Sequence, residues 1–440
     1  HPPARVRRVS EAGPRRCPPP QPNLRFWIQQ TIAVIISSSL LIFVVVWGLC
    51  VRTSGMLGRW LERKRRGTQP REWDDPLRWK DELLTKDPRY YARSCGFDLE
   101  TCDVETEDGF ILRVHRVVDP ERGDNARTGF PVLIMHGLFQ SSGSFITSEH
   151  RSMAFWLARH GGYQVYLGNN RGVFDGGHRE YSRYDPRFWA YDVRDLAQYD
   201  LPAMIDFVRQ DTGYDRIAYI GHSQGSTIAF LALSRFMLPD LGRKLTYVAA
   251  LAPAVYSGPL TKTLMFRVMR RMPWHVWEWV FGWLDYVPLM KFSYDWTPAV
   301  PYAAFGYQMF AYLFEWTDTH WLPRRKPKMF RFTPHPISSA GMYWWAGPEG
   351  FCASGCIFAI HDKPWFDERF PPLSLYCGEQ DQIVLFQPFL ERIAKHEPSL
   401  RVIRTQVQPD AEHCDHYWAA DAVEWCFYDI FGTYIRTRAR

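Results

Sequence analysis

The stretch Arg216-Ile-Ala-Tyr-Ile-Gly-His-Ser-Gln-Gly-Ser-Thr-Ile-Ala-Phe-Leu-Ala-Leu, ending at Leu233, decides the fold. Ile217 to Ile220 reads as a short buried strand, Gly221-His222-Ser223-Gln224-Gly225 as a tight turn, and the apolar remainder as a helix. This is G-x-S-x-G in the strand–turn–helix setting that a nucleophile elbow requires. A serine hydroxyl is a weak nucleophile, so it must stand clear of the sheet where a base and a substrate can both reach it. Glycines at 221 and 225 leave room where strand and helix approach closely. Ser223 is the candidate nucleophile. The competing reading is a small-residue turn in any α/β protein.

Outward from the elbow, continuous apolar runs at Pro131–Met135, Gln164–Leu167 and Leu245–Leu251 read as buried parallel strands. Asp103 to Val117 alternates apolar and polar residues around Asp108-Gly109, a hairpin signal. Asp192 to Val208 has helical spacing. Strand character returns at Leu373–Cys377 and Arg401–Gln408, with a helix at Gln387–Lys395 between them and a closing helix from Trp418 to Phe431. The alternation predicts a mostly parallel sheet wrapped on both faces, a domain spanning residues 76–435. From about 254 to 370 the rhythm breaks into an insertion that holds ten of the 19 tryptophans, with a basic knot at Arg324-Arg325-Lys326. It reads as a helical cap.

The N-terminal part has its own logic. Residues 1–25 carry seven prolines and six arginines and almost nothing to bury, the composition of a disordered basic tail. The chain begins at His1 rather than Met, as a fragment or a processed form does. Thr31 to Val51 carries no charge, and 13 of its 21 residues are Ile, Leu, Val or Phe. At 1.5 Å per residue this run is about 31 Å long, enough to cross a hydrocarbon core. It shows no amphipathic period, so a transmembrane helix over 28–51 is expected, followed by a basic, polar linker over 52–75. A cleaved signal peptide fits poorly, because the apolar run is too long and no A-x-A-like site follows it. Close to the apolar run, Arg52, Arg59, Arg63, Lys64, Arg65 and Arg66 on its C-terminal side outnumber Arg15, Arg16 and Arg25 on its N-terminal side, which predicts a catalytic part on the cytoplasmic side. Arg63 to Arg66 reads as a stop-transfer flank or an anionic-lipid contact rather than a nuclear signal.

Composition narrows the partners. The net charge of +6 is modest and forms no basic stripe through the folded part, so nucleic acid is excluded as a partner. Aromatic residues make up 16% of the chain, which points to a broad apolar surface. Nine cysteines, an odd number without a paired framework, fit a reducing compartment. Cys352 and Cys356 have no second ligand pair, and no metal site is expected. None of the four asparagines opens a glycosylation sequon.

A serine elbow needs a base, an orienting acid and donors for the oxyanion. On a sheet of this kind the order is Ser, then Asp or Glu, then His. Asp381, in Gly378-Glu-Gln-Asp after the Leu373–Cys377 strand, is the candidate acid, and Glu379 is its nearest rival. His413 sits on the loop before the terminal helix and is the candidate base. His416 with Asp421 forms an H-x-x-x-x-D pattern like that of some acyltransferases, a second and weaker arrangement. Oxyanion donors are expected at the backbone amides of Gln224, which opens the elbow helix, and Leu138, in the loop after Pro131–Met135. His136 reads as a residue that shapes that loop. Asp192, Asp200 and Asp206 precede the elbow and read as packing or surface groups.

Val104-Glu-Thr-Glu-Asp-Gly-Phe-Ile-Leu, His136-Gly-Leu, Gly168-Asn-Asn-Arg-Gly, Tyr199-Asp-Leu-Pro-Ala, Gly221-His-Ser-Gln-Gly-Ser and His413-x-Asp-x-x-Trp together resemble the acid lipase family. That family includes the gastric and lysosomal acid lipases and the membrane-anchored fungal steryl ester hydrolases. The resemblance runs from about residue 75 to 435. It implies an α/β-hydrolase fold, Ser223 as nucleophile, Asp381 as acid, His413 as base, and Leu138 and Gln224 as oxyanion donors. It also implies a neutral-lipid ester substrate, a steryl ester or an acylglycerol, met at a membrane or lipid-droplet surface without a cofactor. The apolar N-terminal segment is similar to the fungal branch and unlike the secreted lipases. A triacylglycerol lipase, a catalytically silent lipid-binding protein and an acyltransferase are the alternatives.

Overall fold

The computed structural model describes Pro14, residues 17–66 and residues 71–432; most of the expected basic tail lies outside them. Among the described residues eight strands form one sheet: β1 (Asp98–Glu105), β2 (Ile111–Val118), β3 (Pro131–Met135), β4 (Gln164–Gly168), β5 (Ile217–His222), β6 (Leu245–Leu251), β7 (Leu373–Gly378) and β8 (Val402–Gln408). Their spatial order is β1-β2-β4-β3-β5-β6-β7-β8. β1 pairs antiparallel with β2, and β2 antiparallel with β4; every later pairing is parallel. This is the α/β-hydrolase architecture. β3, β4, β5 and β7 are buried along their whole length, as expected of parallel strands covered on both faces.

Three motifs far apart in sequence meet in one buried ion cluster. Arg171, after β4, binds Asp108 in the β1–β2 turn (2.8 Å from Nη1) and Asp200 (2.8 Å from Nε), and its own amide donates to Asp200 at 2.9 Å. Asp200 is thus a packing group, as its position before the elbow suggests. Asp192 caps the helical turn that follows it, and Asp206 pairs with Arg209 and Lys244. The basic knot is anchored likewise: Arg324 and Arg325 bind buried Glu149, and Lys326 binds Asp318.

Between β6 and β7 the chain forms the cap, with helices at Leu264–Met269, Trp274–Val280, Leu289–Trp296, Ala299–Leu313 and Ser339–Ala346. The N-terminal helix runs from Leu24 to Arg66, so the expected linker begins inside a helix. The reason is local: residues 52–66 are rich in Arg, Lys, Leu, Met and Glu, good helix formers, and hold no proline.

One face of this helix packs on the cap. Phe26, Gln30, Ala33, Ser37 and Gly48 are buried, and Leu41 and Val44 are half-buried on the same stripe. The Gln30 side-chain oxygen Oε1 accepts the Trp283 backbone amide at 3.0 Å, and Gly48 sits against the Tyr312 side chain. The opposite face, with Ile28, Ile35 and Ile42, is exposed. An amphipathic period is absent because both faces are largely apolar; the inward stripe is marked instead by small and amide side chains. From Leu24 to Val51 the helix is long and apolar enough to cross a membrane.

Candidate active site

Ser223 sits between β5 and the elbow helix Gln224–Ala232 with φ 50° and ψ −111°. A non-glycine residue held there costs about 1–3 kcal/mol, which the surrounding packing must offset. That packing leaves no room for side chains beside it. A Cβ at Gly221 would lie 2.8 Å from the backbone of Gly225 and Ser226, and one at Gly225 would lie 2.6 Å from the Met135 carbonyl oxygen. The two glycines therefore let the elbow helix lie directly on β3 and β5.

The loops after β7 and β8 bring Asp381 and His413 together. His413 Nδ1 donates to Asp381 Oδ2 at 2.6 Å, and both side chains are buried. The other carboxylate oxygen, Oδ1, accepts the amides of Ile383 (2.8 Å) and Val384 (3.1 Å), which fixes the plane of the carboxylate. Glu379, the rival acid, is exposed. Asp415 steadies the histidine loop by accepting the Glu412 amide at 2.8 Å and the cap's Trp321 indole at 2.6 Å. Burial pushes the Asp415 carboxyl up to about 7.

Ser223 and His413 line one cavity of about 760 Å³, within the range of ligand pockets. Among the described residues no hydrogen bond joins Ser223 Oγ to His413; such contacts are often long until substrate binds. Leu138 also lines this cavity. Gln224 opens its helix, where the leading amides have no intrahelical acceptor. Its side-chain oxygen accepts the Trp345 indole N–H at 2.9 Å, which ties the cap to the elbow. His136 shapes the Leu138 loop: Nδ1 donates to the Gly137 carbonyl at 2.8 Å and Nε2 accepts the Asn170 amide at 3.3 Å. Burial pushes its imidazole down to about 4, so it is neutral, as this pair of contacts demands.

Sequence reasoning missed a relay beneath the site. Gln140 accepts the Gly137 amide at 3.1 Å and donates to the Tyr417 hydroxyl at 2.7 Å. Tyr417 reaches His222 Nδ1 at 3.4 Å, and His222 Nε2 donates to the His413 carbonyl at 3.0 Å. Burial, reinforced by His413, holds His222 neutral, so it carries one N–H, directed at that carbonyl. The histidine next to Ser223 thereby supports the backbone of His413. The only hint in the sequence was the polar pair Gln140-Ser141 beside the Leu138 loop.

The acyltransferase-like pair does not assemble. Asp421 is held by Arg71 through two hydrogen bonds of 2.7 Å, and among the described residues His416 Nε2 has no partner. Burial pushes the His416 imidazole down from 6.5 to about 4. Between those values the unfolded chain takes up a proton that the folded chain refuses, so stability falls as pH drops through that window. At about 1.4 kcal/mol per unit, the loss reaches about 3 kcal/mol. His416→Gln is therefore expected to flatten the fall in thermal midpoint between about pH 7 and pH 4; a slope equal to the wild type's contradicts this.

Comparison with known proteins agrees with the architecture. Residues 88–149 match the family described as "Partial alpha/beta-hydrolase lipase region", and residues 131–287 match "alpha/beta hydrolase fold". Sterol esterase 2 of Saccharomyces cerevisiae is 30% identical over 391 residues, 78% of this chain and 71% of that protein. Human lipase member K is 42% identical over 185 residues, 40% of this chain and 45% of its own length. Human lysosomal acid lipase/cholesteryl ester hydrolase is 33% identical over 203 residues, 45% of this chain and 49% of its own length. The matches to the two human lipases thus span about half of each. With its sheet order, its strained serine elbow and these relatives, the chain belongs to the lipase and sterol esterase family of α/β hydrolases, which are carboxylic ester hydrolases.

Proposed function

We propose that the protein is a membrane-anchored serine hydrolase that cleaves long-chain acyl esters of neutral lipids, steryl esters foremost, with triacylglycerols as the second substrate class. The observation that carries this reading is the 2.6 Å His413–Asp381 hydrogen bond beside an apolar cavity that Ser223 also lines. In the reaction His413 Nε2 takes the Ser223 proton as Oγ attacks the ester carbonyl. Asp381 holds Nδ1–H and stabilises the imidazolium that forms. The Leu138 and Gln224 amides receive the oxyanion, each donor contributing about 3 kcal/mol at the transition state. His413 then protonates the departing alcohol oxygen, leaving the acyl group on Ser223. Water, deprotonated by the same imidazole, releases the fatty acid. No metal or organic cofactor takes part in this scheme.

The relatives' substrates and the apolar cavity support a neutral lipid. The N-terminal helix supports attachment to a membrane or lipid-droplet surface, and the basic flank after it supports a catalytic domain on the cytoplasmic side. The test is fatty-acid release by the full-length, detergent-solubilised chain from cholesteryl oleate and from triolein. Oleate release from both, faster from the steryl ester, is expected. Faster release from triolein makes the protein a triacylglycerol lipase. Release from neither overturns the proposal.

A further inference from the structure

We propose that the N-terminal apolar helix is a wall of the acyl-binding cavity as well as an anchor, and that the ester reaches Ser223 along it, directly from the lipid phase. This rests on the hydrolase reading above. Ser37, Leu41 and Val44 of the helix line the same cavity as Ser223 and His413. They lie on the stripe that packs against the cap. Leu40, Phe43 and Trp47 line the cavity too, yet they are 45, 61 and 50% exposed. Side chains that face both a cavity and the outside mark its mouth. Across the gap, Leu264 and Val268 of the first cap helix have the same double character, 69 and 52% exposed. The mouth is therefore framed by the N-terminal helix on one side and the cap on the other.

The surroundings of that mouth suit hydrocarbon. The buried stripe runs from Phe26 to Gly48, about 33 Å of helix axis, so the flank of the cap shares the depth of the helix. That flank is built for it: residues 296–314 carry no charge, and Trp296, Val300 and Phe305 are exposed there. An apolar surface of this extent in water is costly, whereas against acyl chains it is solvated. A long-chain ester dissolved in the same phase passes between Phe43 and Leu264 with its acyl chain never in water, and its carbonyl stops at Ser223. The helix thus selects for chain length and for substrates already in lipid.

A hexadecyl fluorophosphonate with a diazirine at the chain terminus tests this on the full-length protein in vesicles. Its phosphorus bonds to Ser223 Oγ with loss of fluoride, and irradiation crosslinks the far end of the chain. The expected crosslink falls in the tryptic peptide 26–52. Labelling of Ser223 with crosslinks confined to the cap overturns the inference and leaves the hydrolase reading intact; no adduct at Ser223 overturns that reading itself. In parallel, Leu41→Trp narrows the wall: it is expected to lower cleavage of p-nitrophenyl palmitate at least about tenfold while sparing p-nitrophenyl butyrate. Ile35→Trp, on the outward face, is expected to change neither. Palmitate cleavage unchanged in Leu41→Trp overturns the inference, and if that variant loses both activities the crosslink decides.

Discussion

Ser223→Ala is expected to lower kcat for ester hydrolysis by at least about four orders of magnitude, with the thermal midpoint nearly unchanged. The hydroxyl is the group that forms the acyl-enzyme, and no neighbouring side chain in the cavity can replace it at the elbow. The fold does not depend on it: the elbow is held by the backbone bond from the Ser223 amide to the Leu251 carbonyl at 2.9 Å and by glycines 221 and 225. Alanine keeps the first and does not touch the second. Fatty-acid release and a melting curve on the same preparation check both halves. A loss of activity smaller than about a hundredfold contradicts the assignment.

Asp381→Asn is expected to lower kcat by about four orders of magnitude, again with the fold retained. The geometry says why so conservative a change is so costly. Ile383 and Val384 donate to Oδ1, so in the asparagine variant the carbonyl oxygen stays at that position and the amide nitrogen faces His413. An N–H there drives the imidazole to the tautomer protonated on Nε2. That nitrogen is then unable to accept the serine proton. Steady-state kinetics on cholesteryl oleate checks the prediction; activity within tenfold of the wild type contradicts it.

The parts legible in the sequence share a cause. Strands β3, β5, β6 and β7 are short continuous apolar runs because both faces of a parallel sheet are covered, and the elbow carries its own signature because only glycine fits at 221 and 225. Asp381 and His413 were reachable because each follows a recognisable strand. The terminal helix was placed less well: a short helix at Asp415–Trp418 precedes it, and the following one contains a wide turn at Val423–Phe427. The least legible features are polar contacts across long sequence separations. Arg71 with Asp421, Gln140 with Tyr417 and Glu149 with Arg324 leave no periodicity in their own neighbourhoods. The docking of the N-terminal helix belongs with them. Its hydropathy is nearly uniform, and the inward face shows only in the placement of Gln30, Ala33, Ser37 and Gly48.

The hydroxyl at 223 as the group that becomes acylated is the claim on which the mechanism stands. Treating the full-length protein with a fluorophosphonate, digesting it and mapping the modified peptide by mass spectrometry tests it most directly. One phosphonate, on Ser223, is expected, and none in the Asp381→Asn variant over the same short exposure. Modification at a different hydroxyl, or an unmodified Ser223 in a folded wild-type protein, contradicts it.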